Sequence, residues 1–422
     1  MTATEPTVEL LPSAQMLADT CRSDGEFANA TRHLCGGFRF ECGGEVTGVL
    51  LNDGVVLDEV PERGDHTVTL QGDREVWAAL LAPTPAAGSY ALATLVNRGL
   101  ALDADPLRWW QQLPGTERLI ELLRQPGRER AVPNEVTSPG RVDAPVGRYV
   151  HLELGGHDHR VYFEEAGQGI PLLLQHTAGS HSLQWRHLFE CSEVTDHFRL
   201  IAYDLPHHGK SIPPVERRWW EEPYLLKGEF LRSVPVSLAA ALKLDQPVFM
   251  GCSVGGLLAL DLARHHPDVF RAVISLEGAL HIGGDWDALI GMFHPAVSNT
   301  AKARMMEGLC APTSPEAYVK EVSHVYSAGW PAAFHGDLHY YMVDYDLRDE
   351  AHLIDTSEVG VHILNGEYDY TGSVRHGLAA HEAITGSTHT TMPALGHFPM
   401  TENPAAFLDH LLPVLSTIRS GT

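Results

Sequence analysis

From residue 148 onward the sequence repeats one unit: a short apolar run, a turn, and in several places a helix-like segment. PLLLQHTAG, FRLIAYDLP, PVFMGCS, FRAVISLEG, VGVHILNGEYD and THTTMPALGH are such runs, and RYVHLEL with HRVYFEEAG reads as an opening hairpin. Continuous apolar strands alternating with helices need cover on both faces, which a parallel sheet between two helical layers provides. The pattern therefore predicts a doubly wound, mostly parallel α/β sheet with its reactive groups at the carboxyl ends of the strands.

The first part of the chain follows a different period. Phe38-Arg39-Phe40-Glu41-Cys42 and the run Glu45 to Leu51 alternate in and out, Asn52-Asp53-Gly54 is a hairpin signal leading into VVLDEV, and HTVTLQG is a further strand. DREVWAALLA reads as a helix with Asp73 near its start. Residues near 126–147, including GRERAVPNEVTSPG, mix proline, glycine and charge without hydrophobic periodicity, as a linker does. A chain of 422 residues also exceeds the roughly 250–300 at which one core stops growing. The expected division is a smaller α+β domain over 1–125, a linker over 126–147, and the α/β domain over 148–422. The α/β domain carries an insertion at about 280–350 that breaks the alternation.

Charge removes several functions. With 30 Lys+Arg against 54 Asp+Glu the formal charge is −24, which disfavours nucleic acid and anionic membranes as partners. The opening MTATEPTVELLPSAQ places acids and prolines where a secretory signal carries a basic and then an apolar segment, so a cytoplasmic location is expected. Six scattered cysteines without a CxxC pair suggest neither a disulfide framework nor a zinc site. The 25 histidines include His157-x-His159 and His207-His208, but neither pair has the i, i+4 spacing and companion carboxylate of an HExxH site; no metal and no other cofactor is expected.

The chemistry centres on Gly251-Cys252-Ser253-Val254-Gly255-Gly256. In a chain of this length about 0.2 matches to Gly-x-Ser-x-Gly arise by chance, so context must carry the assignment. Here the serine stands between an apolar strand, PVFM, and a helix-like segment, LLALDLARHHP. A nucleophile elbow requires that strand-turn-helix setting, in which the glycines remove side chains from a tight turn. A serine hydroxyl needs a base, and the base needs an acid to hold its tautomer. His397 follows the last apolar strand, and Asp369 in Asn365-Gly366-Glu367-Tyr368-Asp369 follows VGVHIL, giving the order Ser, Asp, His.

Residues 148–420 thereby resemble an α/β-hydrolase. Asp204-Leu205-Pro206-His207-His208-Gly209-Lys210-Ser211 is similar to that family's D-x-x-G-x-G-x-S turn, with His207 in place of its first glycine, and Gly396-His397-Phe398-Pro399 with Glu402-Asn403-Pro404 match its closing motif. The resemblance implies an oxyanion hole from the backbone N–H groups of Val254 and Ala178. The loop Gln175-His176-Thr177-Ala178-Gly179 departs from the His-Gly that such families often carry there. Glu277, after FRAVISL, is an alternative acid, because some relatives, including certain haloalkane dehalogenases and zearalenone lactonases, take theirs from that strand end. The first domain resembles the sterol-carrier-protein-2-like fold, which implies either a lipid tunnel or a packing and dimerisation role; no residue in it demands a ligand.

The expectation is a cofactor-independent hydrolase cleaving a carboxylic ester or lactone of a bulky hydrophobic molecule, a zearalenone-type macrolactone being one candidate. Its catalytic residues are Ser253, His397 and Asp369, whose Gly-Glu-x-Asp turn favours it as the acid, with Glu277 as the alternative. The insertion, rich in Trp, Tyr, Phe and Met, forms a cap whose Trp330, His339 and Tyr340 join His176 and Thr177 as candidate substrate contacts. A carbon–carbon hydrolase of ring-cleavage products and a lipid carrier with a vestigial triad are the alternatives. A homodimer through the first domain is expected.

Overall fold

The computed structural model describes residues 9–96, 98–124 and 139–421. The chain forms two units, Met1–Arg130 with Gly291–Gly308, and Ala131–Ile290 with Leu309–Thr422. Most of the linker expected at 126–147 lies outside the described residues.

In the first unit, the alternating segments become β1 (Gly36–Cys42), β2 (Glu45–Asn52), β3 (Val55–Leu57), β4 (Thr67–Gly72) and β5 (Leu100–Asp103), in the sheet order β3-β2-β1-β4-β5. Only β1 and β4 run parallel. The β2–β3 turn has Asp53 at φ 51° and Gly54 at φ 77°, the two positive angles that a tight hairpin with the right-handed strand twist requires. Phe38 and Phe40 point into a filled core with Phe27 and Trp77, while Arg39 and Glu41 pair at 2.6 Å on the other face. Trp77, on the expected helix Arg74–Leu80, also donates its indole N–H to Glu41 O at 2.8 Å.

The segment Gly291–Gly308 belongs to this first unit, although the sequence places it in the cap. Its helix Asn299–Glu307 carries Arg304, whose guanidinium is 2.9 Å from Glu26 and 2.7 Å from Glu121 and also contacts Glu307. Several carboxylates around one buried cation offset its desolvation, and they come from three separate stretches of sequence. Arg304 in isolation reads as one more charged residue on a helix.

The second unit contains β6 (Val146–Leu154), β7 (His157–Ala166), β8 (Ile170–Gln175), β9 (Phe198–Tyr203), β10 (Val248–Cys252), β11 (Ala272–Leu276), β12 (Gly360–Gly366) and β13 (Thr388–Met392). They assemble in the order β13-β12-β11-β10-β8-β9-β7-β6. β6 and β7 form the expected hairpin, β7 meets β9 antiparallel, and all other pairings are parallel. Every residue of β10 and β11 is buried, as central strands with helices on both faces should be. The chain leaves β8 for β9 on one side and returns to β10 on the other, so the carboxyl ends of β8 and β10 open at the point where strand order reverses. Open α/β sheets bind their ligands there. Between β11 and β12 the second unit also receives the helices Glu316–Ser327 and Pro331–His339 and a π-helical turn, Tyr340–Asp344.

Candidate active site

Ser253 occupies the turn between β10 and the helix Val254–His265 with φ 59° and ψ −114°. A side chain at positive φ is strained by one to three kcal/mol or so, about the size that surrounding contacts can impose. Here the contacts are backbone: Ser253 N–H donates to Leu276 O at 3.0 Å, and Ser253 O accepts the first helical bond from Leu257 at 2.9 Å. The glycines answer to close approach. A Cβ at Gly251 would stand 2.5 Å from Gly255 O, and one at Gly256 would stand 2.2 Å from Leu276 O. Val254 begins the helix, so its N–H has no intrahelical acceptor.

The turns after β12 and β13 bring an acid and a base together. His397 Nδ1 lies 2.7 Å from Asp369 Oδ2. The other oxygen of Asp369 accepts from Thr371 N–H at 2.7 Å and Thr371 Oγ1 at 2.8 Å, while Gly372 N–H reaches Oδ2 at 3.1 Å. Burial works against the charge, but His397 and these donors outweigh it and hold the Asp369 carboxyl below the usual carboxylate range. With Nδ1–H committed to Asp369, Nε2 is the nitrogen left to take a proton. The His397 turn is itself clamped: Glu402 accepts from Gly396 N–H at 2.5 Å and Ala311 N–H at 2.6 Å, and Cys252 Sγ reaches His397 O at 3.1 Å. Burial pushes the Glu402 carboxyl up to about 7. Asn403 caps the terminal helix through Ala406 N–H at 3.3 Å.

Glu277 sits at φ 51° directly after β11, and both its oxygens lie 2.9 Å from Gly366 N–H. Complete burial, then the neighbouring Asp369, push its carboxyl well above the ordinary range. His397 is bonded to Asp369, whereas the carboxyl of Glu277 faces Gly366 N–H and the Asp369 carboxyl.

The loop after β8 is held by side chains. Thr177 N–H donates to Gln184 Oε1 at 3.0 Å and Gly179 N–H to Asp337 Oδ2 at 2.8 Å, on either side of Ala178. His176 was expected to meet substrate, but its Nδ1 is 2.8 Å from Thr177 O and its Nε2 accepts from Leu205 N–H at 3.1 Å. Burial lowers its pKa to about 3, and a neutral ring bonded at both nitrogens serves the loop and not a ligand. Thr177 Oγ1 is shared between Gln184 and the Tyr326 hydroxyl.

The expected contacts from the insertion separate. Tyr340 donates to Asp261 at 3.0 Å and is buried there, and His339 Nδ1 lies 3.2 Å from Leu226 O, so both fasten the insertion to the body. Tyr341, one residue on, is buried beside Ser253 and Thr371 with its hydroxyl out of hydrogen-bond geometry with either. Two adjacent tyrosines at the start of a π-helical turn carry no sequence signal for which one faces the serine. Trp330 lines a cavity of about 160 Å³ with His207, Trp219 and Tyr224. His207 holds φ 72° where the resembled motif has glycine, and its ring lies 5.1–5.9 Å from those three aromatic rings. His157 and His159 line the same cavity, yet among the described residues no group of three or more His, Cys, Asp or Glu could hold a metal ion.

Comparison with known proteins agrees with this topology. Residues 170–304 match the family model for the alpha/beta hydrolase fold, a stretch that contains Ser253 and ends before Asp369 and His397. The chain is 27% identical over 242 residues to 3-oxoadipate enol-lactonase 2 of Acinetobacter baylyi, covering 56% of this chain and 85% of that one. It is 25% identical over 240 residues to the pimeloyl-[acyl-carrier protein] methyl ester esterase of Neisseria meningitidis serogroup B, covering 53% and 85%. Among solved structures, an esterase from Thermogutta terrifontis superposes with a TM-score of 0.57 at 19% identity over 64% of this chain and 99% of its own. The second unit has the α/β-hydrolase fold.

Proposed function

We propose that the protein is a serine hydrolase that cleaves a carboxylic ester or lactone through an acyl-enzyme. The observation that carries this reading is the 2.7 Å bond from Asp369 to His397 in the same strand-end cluster as a serine held at φ 59°. Ser253 attacks the carbonyl carbon while His397 Nε2 takes its proton and Asp369 stabilises the resulting imidazolium; Val254 and Ala178 N–H groups receive the oxyanion. His397 returns the proton to the leaving alcohol, and a water activated the same way releases the acid. Glu277, which accepts from Gly366 N–H, supports the Asp369 turn. The esterase and enol-lactonase names among the similar proteins favour ester and lactone carbonyls over carbon–carbon bonds. The Trp, Tyr, Phe and Met content of the insertion supports a bulky apolar substrate, with a zearalenone-type macrolactone as one candidate. Assay of the purified protein on p-nitrophenyl esters, lactones and ring-cleavage diketones tests this: turnover of esters or lactones is expected, and turnover of diketones alone overturns it.

In this reading the first unit serves assembly. Its five-stranded sheet with helices supports the likeness to the sterol-carrier-protein-2-like fold, and a core filled by Phe27, Phe38, Phe40 and Trp77 favours packing over lipid carriage. Pairing of two such units gives a homodimer. The scattered cysteines without a CxxC pair support a cytoplasmic location, and among the described residues no helix is long and apolar enough to cross a membrane. Deleting residues 1–140 should shift the protein to monomer in light scattering and lower its thermal stability. Because Gly291–Gly308 belongs to that unit, the deletion should also replace this segment with a short Gly-Ser link. Turnover of a small ester is then expected to change by less than about tenfold. A full-length monomer, or a folded truncation without activity, would assign the unit another role.

A further inference from the structure

Resting on the hydrolase reading, we propose that Asp337, from the insertion helix Pro331–His339, is a positioning residue that fixes the loop after β8 so that Ala178 N–H faces the developing oxyanion. Its carboxylate has no solvent exposure and three donors converge on it. Oδ2 accepts from Gly179 N–H at 2.8 Å and from His208 Nε2 at 2.8 Å, and Oδ1 accepts from the Tyr224 hydroxyl at 3.0 Å.

The loop geometry gives these bonds a consequence beyond fastening. Of three successive N–H groups, Thr177 is taken by Gln184 and Gly179 by Asp337. Both neighbours of Ala178 are thus pinned by side chains, which fixes the peptide plane that carries the Ala178 donor. Gly179 stands at φ 61°, and a Cβ on it would lie 2.7 Å from Phe334 Cβ. Phe334 and Asp337 are three residues apart on one helix, so the same face lays an apolar contact and an acceptor on the same glycine. Oxyanion donors act only when preorganised, because a donor that must swing into place spends part of its stabilisation on reorganisation.

The charge on Asp337 is matched. His208 is buried with it, its Nδ1 lies 3.0 Å from Pro206 O, and burial's tendency to neutralise the ring is outweighed by Asp337, which raises its pKa. With both nitrogens donating, His208 is an imidazolium paired to the carboxylate. A buried ion pair commonly adds little to net stability compared with an apolar pair of the same shape, so its effect here is on geometry.

Steady-state kinetics on p-nitrophenyl butyrate with wild type, Ser253→Ala, Asp337→Ala and Asp337→Asn test the proposal. Asp337→Ala should lower kcat by about 10²-fold, the scale of losing one oxyanion donor, with KM within about threefold of wild type. Asp337→Asn should recover about tenfold of that loss, because an amide oxygen can still accept the Gly179 N–H. A merely structural role would lower Tm and the active fraction without this order of kcat values. If the alanine variant does not fold, the asparagine variant decides: a drop in kcat of about tenfold at unchanged KM supports the proposal, and a kcat within about twofold overturns it. Ser253-dependent turnover that Asp337→Ala leaves intact, or changes only in KM, refutes this proposal alone. Absence of any Ser253-dependent turnover refutes the hydrolase reading and this proposal with it.

Discussion

Ser253→Ala is expected to lower kcat on the best ester by about 10⁵–10⁶-fold while leaving the fold intact, since only substrate binding and the oxyanion donors remain. The elbow adds a second readout. Alanine keeps the strain of φ 59°, whereas glycine relieves it, so Ser253→Gly should be equally inactive yet more stable than Ser253→Ala by about 1–2 kcal/mol in urea denaturation. Strain maintained at Ser253 for the sake of its hydroxyl predicts that pairing of effects. An unchanged rate in either variant would remove Ser253 from the chemistry, and equal stability would mean that the turn is not strained.

Asp369→Asn should cost on the order of 10⁴ in kcat, because an amide beside Nδ1 admits the wrong imidazole tautomer. Glu277→Gln should cost about tenfold or less, since an amide of the same shape keeps an oxygen for Gly366 N–H and leaves the Asp369–His397 bond in place. Both variants retain oxygens that can accept the local N–H groups, so Tm should report whether either loss is structural. If Glu277→Gln proved the more damaging, the acid's role would pass to Glu277.

Much of this was legible in the chain because it depends on local chemistry. Strand alternation, the Asn52-Asp53-Gly54 hairpin and the run of apolar strands after residue 148 are consequences of period, and each appears where the sequence places it. Ser253 was legible for the same reason: close backbone approach in one strand-to-helix turn is what gathers glycines around a single serine. Pairing of His397 with an acid was foreseeable as chemistry, and the Gly366-Glu367-Tyr368-Asp369 turn favoured Asp369 over Glu277, but the donors around each carboxyl were not legible. Both follow central strands, and only the turn carrying Thr371 and Gly372 gives Asp369 the donors that keep it ionised beside His397.

What tertiary structure alone decided lies wherever distant segments share one buried group. Arg304 reads as an ordinary charge until Glu26 and Glu121 converge on it, which draws 291–308 out of the cap and into the first unit. His176 reads as a ligand contact until Thr177 O and Leu205 N–H occupy its ring. The choice of Tyr341 over Tyr340 follows from one π-helical turn, and Asp337 acquires its place only where an insertion helix lands on Gly179. Periodicity and turn chemistry are written over a few residues, so sequence determined the fold class and the serine. Burial of charge and the closure of loops depend on residues hundreds of positions apart, so the folded chain determined which side chains surround that serine and which are fixed elsewhere.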